Sequence, residues 1–262
     1  MNMPSYYHCA KTLLLTDYKV LRRTIAHKII NLGIRTVCYI FVNAYLLTQF
    51  GVTKTFGVMT LGAILAVTGI FEGYNCIATV VSDLESDKIT YYYATLPLPS
   101  WVVFLRLIIS NAVLFMILSV AALPMGKLLL WDTLNLCTIN WLHLAITIVV
   151  ANLFYGALVL FAASCAKGIE ALDNAWARLM FPIWFLGGFN FSWHSLYNTS
   201  PSLAMLDLLN PVIYITECYR SSLLGPEGWL PFWNCIGMII LLTVITGWVG
   251  IKRLTRQCDF IQ

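Results

Sequence analysis

Glu72 is a carboxylate in an apolar setting, within Gly69-Ile70-Phe71-Glu72-Gly73-Tyr74-Asn75. An acid inside a stretch long enough to cross a membrane is costly and marks function by default. Two chemistries fit it. It can carry a proton or cation, or it can tie neighbouring helices together through Asn75 or a tyrosine hydroxyl. Gly69 and Gly73 form a small-xxx-small step that admits a close helix contact. A second charged group is Glu217 with Arg220, three apart and so on one helical face. A third is the run Asp83-Leu84-Glu85-Ser86-Asp87-Lys88, which leads into an apolar-aromatic stretch ended by Pro97 and Pro99. Such a stretch can dock in a partner's groove, with charges setting register and Tyr and Leu supplying buried area.

Other chemistries find no footing. The eight cysteines form no Cys-x-x-Cys pair, and no histidine stands near them at metal-ligand spacing. No metal site is expected. No His-Glu-x-x-His or Gly-x-Ser-x-Gly motif occurs. An intramembrane enzyme would have only His194 and Asp207 as a suggestive polar pair. The fragment Gly126-Lys127 lacks the preceding glycine and following hydroxyl of a phosphate-binding loop. The chain is therefore expected to bind no cofactor of its own.

The elements that must position these residues are membrane spans. The chain is 60% hydrophobic and 11% charged, against roughly 25% charged in a soluble domain. Six apolar stretches, at about 31–50, 57–80, 101–123, 141–165, 172–191 and 231–251, each approach the roughly 20 residues that a bilayer requires. With the N-terminus in the cytosol, thirteen Lys and Arg fall inside. Only Lys54, Lys127 and Arg220 fall outside. That asymmetry sets the orientation, and six spans return the C-terminus to the cytosol. The net charge of +4 thus belongs to topology and does not signal nucleic acid.

Two further elements flank the spans. Over 1–30, Leu14, Tyr18, Leu21, Ile25 and Ile29 recur at spacings of four and three, with Lys11, Asp17, Lys19, Arg23 and Lys28 between them. This predicts an amphipathic helix in the inner interface. Before the last span, Asn210-Pro211 reads as a cap and first turn, and Gly225-Pro226 reads as a stop. The helix between them is about 20 Å long and cannot cross a core of about 30 Å. It is expected to belong to a broken pair over 192–225 that enters from the outer face and returns. Its Glu217 and Arg220 should then lie near the outer boundary, in reach of each other or of headgroups.

Three blocks resemble the type-2 permease family of ABC exporters. They are Asp83-Leu84-Glu85 with Thr95-Leu96-Pro97-Leu98-Pro99, the stretch Phe181-Pro182 to Phe191, and Leu209-Asn210-Pro211 through Tyr219-Arg220 to Leu224-Gly225. The resemblance spans nearly the whole chain and implies a single all-α permease domain over 1–262. Two copies would form the pathway, and two ABC ATPase subunits carrying ATP and Mg would drive it. It implies coupling through 83–99, with Asp83, Leu84, Glu85, Asp87, Lys88, Thr95, Leu96 and Pro97. It implies a pathway along spans one, two and five, with Asn43, Glu72, Tyr74 and Asn75. The outer re-entrant region would hold Phe189, Phe191, Trp193, Asn210, Pro211, Tyr214, Glu217 and Arg220. The cargo would be a lipid, lipid-linked glycan or drug, and the location a bacterial inner membrane. The rival reading from the residues is a secondary transporter driven by protons through Glu72.

Overall fold

The computed structural model describes residues 3–87, 92, 99–166, 168, 172, 174 and 176–259. Among them there is no strand. Helix α1 runs Met3–Ile40, widens through a π-helical turn, Phe41–Leu46, and then tightens through a 3-10 turn, Leu47–Phe50. Then come α2 (Thr55–Ser82), α3 (Ser100–Leu129) and α4 (Trp141–Cys165). A broken segment follows: π turn Trp176–Met180, the single turn α5 (Phe181–Trp184) and π turn Phe185–Phe189. Three short helices come next, α6 (Trp193–Thr199), α7 (Pro201–Asp207) and α8 (Pro211–Leu224). The chain closes on α9 (Phe232–Asp259).

Five of these helical stretches are long and apolar enough to cross a membrane: Leu15–Phe50, Thr55–Ser86, Trp101–Leu129, Trp141–Cys165 and Phe232–Gln257. They match five of the six expected spans. Helix α2 is the hub, apolar on almost every side and buried along most of its length, as expected of a helix without a polar face. It packs against α1, α3, α4 and α8. By contrast, Val113, Ile117 and Val120 on α3 and Ile240, Leu241, Val244 and Trp248 on α9 are exposed. In a bundle this apolar, such faces suit lipid.

Two expectations change. The stretch over 1–30, expected as an interfacial helix distinct from the first span, is from Met3 on continuous with that span in α1. Asp17 accepts from Arg106 Nε at 2.6 Å and from Ser110 Oγ at 2.6 Å, so this part of α1 is pinned to α3. The Gly69–Gly73 step does not bring two backbones together. Instead the Tyr155 ring of α4 lies over Gly69, and its hydroxyl donates to the Ala66 carbonyl at 2.6 Å. A side chain at residue 69 would occupy the ring's place.

Candidate functional site

Helix α1 carries Lys28, Arg35 and Tyr39 at spacings of seven and four, so all three lie near one stripe. Lys28 and Arg35 meet α2. The Lys28 ammonium donates to Glu72 Oε2 at 2.8 Å. The Arg35 guanidinium sits 4.6 Å from the centre of the Phe71 ring, and its Nε and Nη2 are buried without a hydrogen-bond partner. Glu72 itself is buried. It lies about 15 Å of helix before the end of α2 at Ser82. The Lys/Arg count had placed Lys28 and Arg35 in the cytosolic flank. Their partners place both against the interior of α2. Lys28, rather than Asn75 or a tyrosine, is what satisfies Glu72.

The broken segment completes this wall with rings. Trp176 packs on Tyr74 and Phe71, with centroids 4.9 and 5.8 Å apart. Trp184 packs on Phe71 at 5.3 Å and on Phe189 at 5.6 Å, and Phe189 meets Tyr39 at 4.9 Å. The wall is thus built from α1, α2 and the 176–189 segment, the three stretches expected to line a pathway. Of the named pathway residues, Glu72 and Tyr74 belong to it. Asn75 is exposed instead, in a cleft of about 390 Å³ between α1, α2 and α3 that Lys28 also lines. Asn43 turns inward and donates to Tyr39 O of its own helix at 2.9 Å. Arg35 was missed as a site residue. Its signal was a basic residue seven after Lys28, already inside an apolar run.

The residues named for the outer region also converge, and they share Phe189 with this wall. The Asn210 side chain accepts from Val212 N at 3.0 Å, capping α8 as expected, and donates to Ile183 O at 2.8 Å. Pro211 occupies the first turn. The Tyr214 hydroxyl donates to Leu208 O at 2.8 Å, and Thr216 Oγ1 to Gly187 O at 2.8 Å. Gly188 adopts φ 76°, and a β-carbon there would lie 2.6 Å from Ile213 Cδ1. Glycine therefore both permits the turn and lets α8 approach.

Glu217 and Arg220 form the centre of this region, and both side chains are fully buried. Arg220 Nη1 donates to Phe191 O at 2.6 Å, Nη2 to Phe189 O at 3.2 Å and Nε to Met59 O at 3.4 Å. Glu217 accepts from Trp193 N at 3.1 Å and from Leu230 N at 3.2 Å. The two side chains approach to 3.6 Å. Burial pushes the Glu217 carboxyl up and the Arg220 guanidinium down, to about 10, while each one's charge opposes the other's shift. The two groups are in reach of each other, as expected. Helix α8 is buried from Val212 to Leu223, against α2, α4, α9 and the Phe185–Phe189 turn. Both charges are enclosed by protein, where they satisfy backbone groups of five other residues.

The acidic loop continues α2 as the π turn Asp83–Asp87. Leu84 packs against the core, and Glu85 is exposed. A β-carbon at Gly168 would lie 2.5 Å from Glu85 Oε1, so the loops after α2 and α4 touch. Lys88, Thr95, Leu96 and Pro97 lie outside the described residues.

Fold and site together define an all-helical chain with several membrane-length helices and ionised groups held among them. No family model matches the chain. No curated protein matches it in sequence either.

Proposed function

We propose that this chain is the permease subunit of an ATP-driven exporter of the type-2 ABC class. Two copies enclose a pathway for a hydrophobic or amphipathic cargo, and separate ATPase subunits dock at the 83–99 loop. The chain crosses a bacterial inner membrane six times, the broken segment being the fifth crossing. Both termini are cytosolic, and α6–α8 form the outer re-entrant element.

The observation that carries this reading is α8. It has 14 residues, or about 21 Å of helix, too short to cross a core of about 30 Å. Yet it is buried on nearly every side among long apolar helices. Non-spanning backbone at such depth is tolerated only where protein or a wet cavity satisfies it. The Glu217–Arg220 pair supplies that satisfaction, with five backbone partners. An anchor has no need of such an element, whereas a gated pathway does. The wall of α1, α2 and 176–189 adds support. Its rings suit an apolar cargo.

Purification of the tagged chain with its genomic neighbours tests the reading. A bound ATPase subunit, and transport in proteoliposomes that needs ATP, are the expected results. Glu85→Arg should weaken assembly or ATPase stimulation, since loss of a desolvated charge partner costs about 2–5 kcal/mol. The Lys28–Glu72 contact favours one rival, proton-coupled transport, because a lysine and a carboxylate can exchange a proton. Transport by ATP-depleted vesicles on a proton gradient alone would establish that rival.

A further inference from the structure

Between the broken segment and α7 lies an open cavity of about 500 Å³, in which Leu186, Leu203, Leu206 and Leu209 are more than half exposed. Pro182, Ile183 and Leu186 form one wall, and Leu203, Leu206 and Leu209 the other. Two polar side chains interrupt this apolar lining. Asn210 is committed, accepting from Val212 N and donating to Ile183 O. Asp207 is not. It is 9% exposed, and its Oδ2 is buried without a hydrogen-bond partner. The backbone holds it in place, because Asp207 O accepts from Asn210 N at 2.9 Å at the turn into α8.

No described cation pairs with Asp207. Arg220 is spent on Glu217 and three carbonyls, and the ion pairs among the described residues do not include Asp207. A carboxylate under apolar surface is costly without a donor or a positive charge. The volume falls in the range of about 300–1,000 Å³ typical of small-molecule sites, which pair apolar walls with a few placed polar groups. An occupant that satisfies both walls and acid has an apolar body and one cationic, hydrogen-donating head.

We propose that this cavity is a binding site for an amphiphilic amine, with the ammonium held by Asp207 and the hydrocarbon by the surrounding leucines. The site does not depend on the ATP-driven reading, because binding needs neither nucleotide nor a partner ATPase. The head can come from a soluble lipophilic amine or from the primary amine of a lipid.

Full-length chain in phosphatidylcholine nanodiscs is titrated with tritiated dodecylamine and, in parallel, with tritiated dodecanol. The expected result is saturable binding of the amine at one site per chain, at least tenfold tighter than the alcohol. Asp207→Asn should abolish that preference, and Glu227→Gln, an exposed acid away from the cavity, should keep it. Leu206→Trp, which obstructs the mouth and leaves the carboxylate in place, should weaken the amine at least tenfold. Displacement when phosphatidylethanolamine is added to the discs assigns the head to a lipid, and binding unchanged by it assigns a soluble amine. Equal affinity for amine and alcohol in the wild-type chain, or full amine binding by both cavity variants, overturns the proposal. The wild-type comparison decides even if a variant fails to fold.

Discussion

At Lys28 and Glu72 one contact joins two unequal environments. The lysine side chain is 23% exposed and the carboxylate side chain 6%. Lys28 has a long stem that can carry its charge to water, but Glu72 has no such escape. Removing the partner of the deeper charge should therefore cost more. Lys28→Met is expected to destabilise the chain by about 3 kcal/mol, and Glu72→Gln, which still offers Lys28 an acceptor, by about 1 kcal/mol. Thermal unfolding of both variants in nanodiscs measures this, and equal losses would show that the contact is not carried by Glu72's burial. Asp207 makes the opposite case, a buried acid that costs stability. Burial, reinforced by the charge of Glu217, pushes its pKa up from 3.8 to about 6. An acid whose folded pKa lies above its unfolded one is harmless while protonated in both states. Its penalty develops as pH rises from about 4 to about 6 and persists above that. Asp207→Asn should thus stabilise the chain at pH 7.5, by on the order of 2 kcal/mol, and leave it unchanged at pH 4. A melting temperature that rises equally at both pH values would trace the gain to packing instead of charge.

Short elements here are made by their ends and buried by their middles, and that decides what the sequence discloses. The start and stop of α8 were legible because Asn210, Pro211 and Gly225 act locally, through a side-chain cap, a fixed φ and a turn. The long apolar helices were legible from hydropathy for the same reason. What Glu217 and Arg220 do was not legible, because their partners at Met59, Phe189, Phe191, Trp193 and Leu230 are remote in sequence and all are backbone groups. No residue type announces an orphan carbonyl. The same holds for Lys28 and Arg35, which read as basic flank until α2 is packed beside them. The clasp yields a sharp expectation. A buried ion pair replaced on both sides by apolar residues is often neutral or stabilising. This one also satisfies five backbone groups, which would be left bare in a dry site. Glu217→Gln alone should cost about 3–5 kcal/mol by stranding Arg220. The double variant Glu217→Met, Arg220→Met should give no rescue. The folded fraction on size-exclusion chromatography of the detergent-solubilised variants reads this out. Wild-type recovery in the double variant would reduce the clasp to a mere charge pair.

Across the whole molecule, the number of crossings is tied to the charges at its two ends. The five membrane-length helices, taken alone, would leave the termini on opposite faces. Both ends are basic, however, with Lys19, Arg22 and Arg23 before the first crossing's interior and Lys252, Arg253 and Arg256 at the close of α9. In the proposed topology the positive-inside preference puts both in the cytosol, which calls for one more crossing, and the stretch at 172–191 is the candidate for it. Its described part from Trp176 is helical to Leu186, wound through π turns, and opens at Gly187 and Gly188. The eleven residues before that opening, Trp176 to Leu186, give about 16 Å of helix, shorter than a bilayer core of about 30 Å. Tyr39 of α1, together with α2 and α8, covers its opened end. Reporter fusions at residues 1 and 262 should both report cytosol. A single cysteine introduced at Ser202, in α7 beyond this crossing, should react with a membrane-impermeant maleimide only from outside. Termini on opposite faces, or labelling of residue 202 from the cytosolic side alone, would remove the sixth crossing and with it the re-entrant placement of α8.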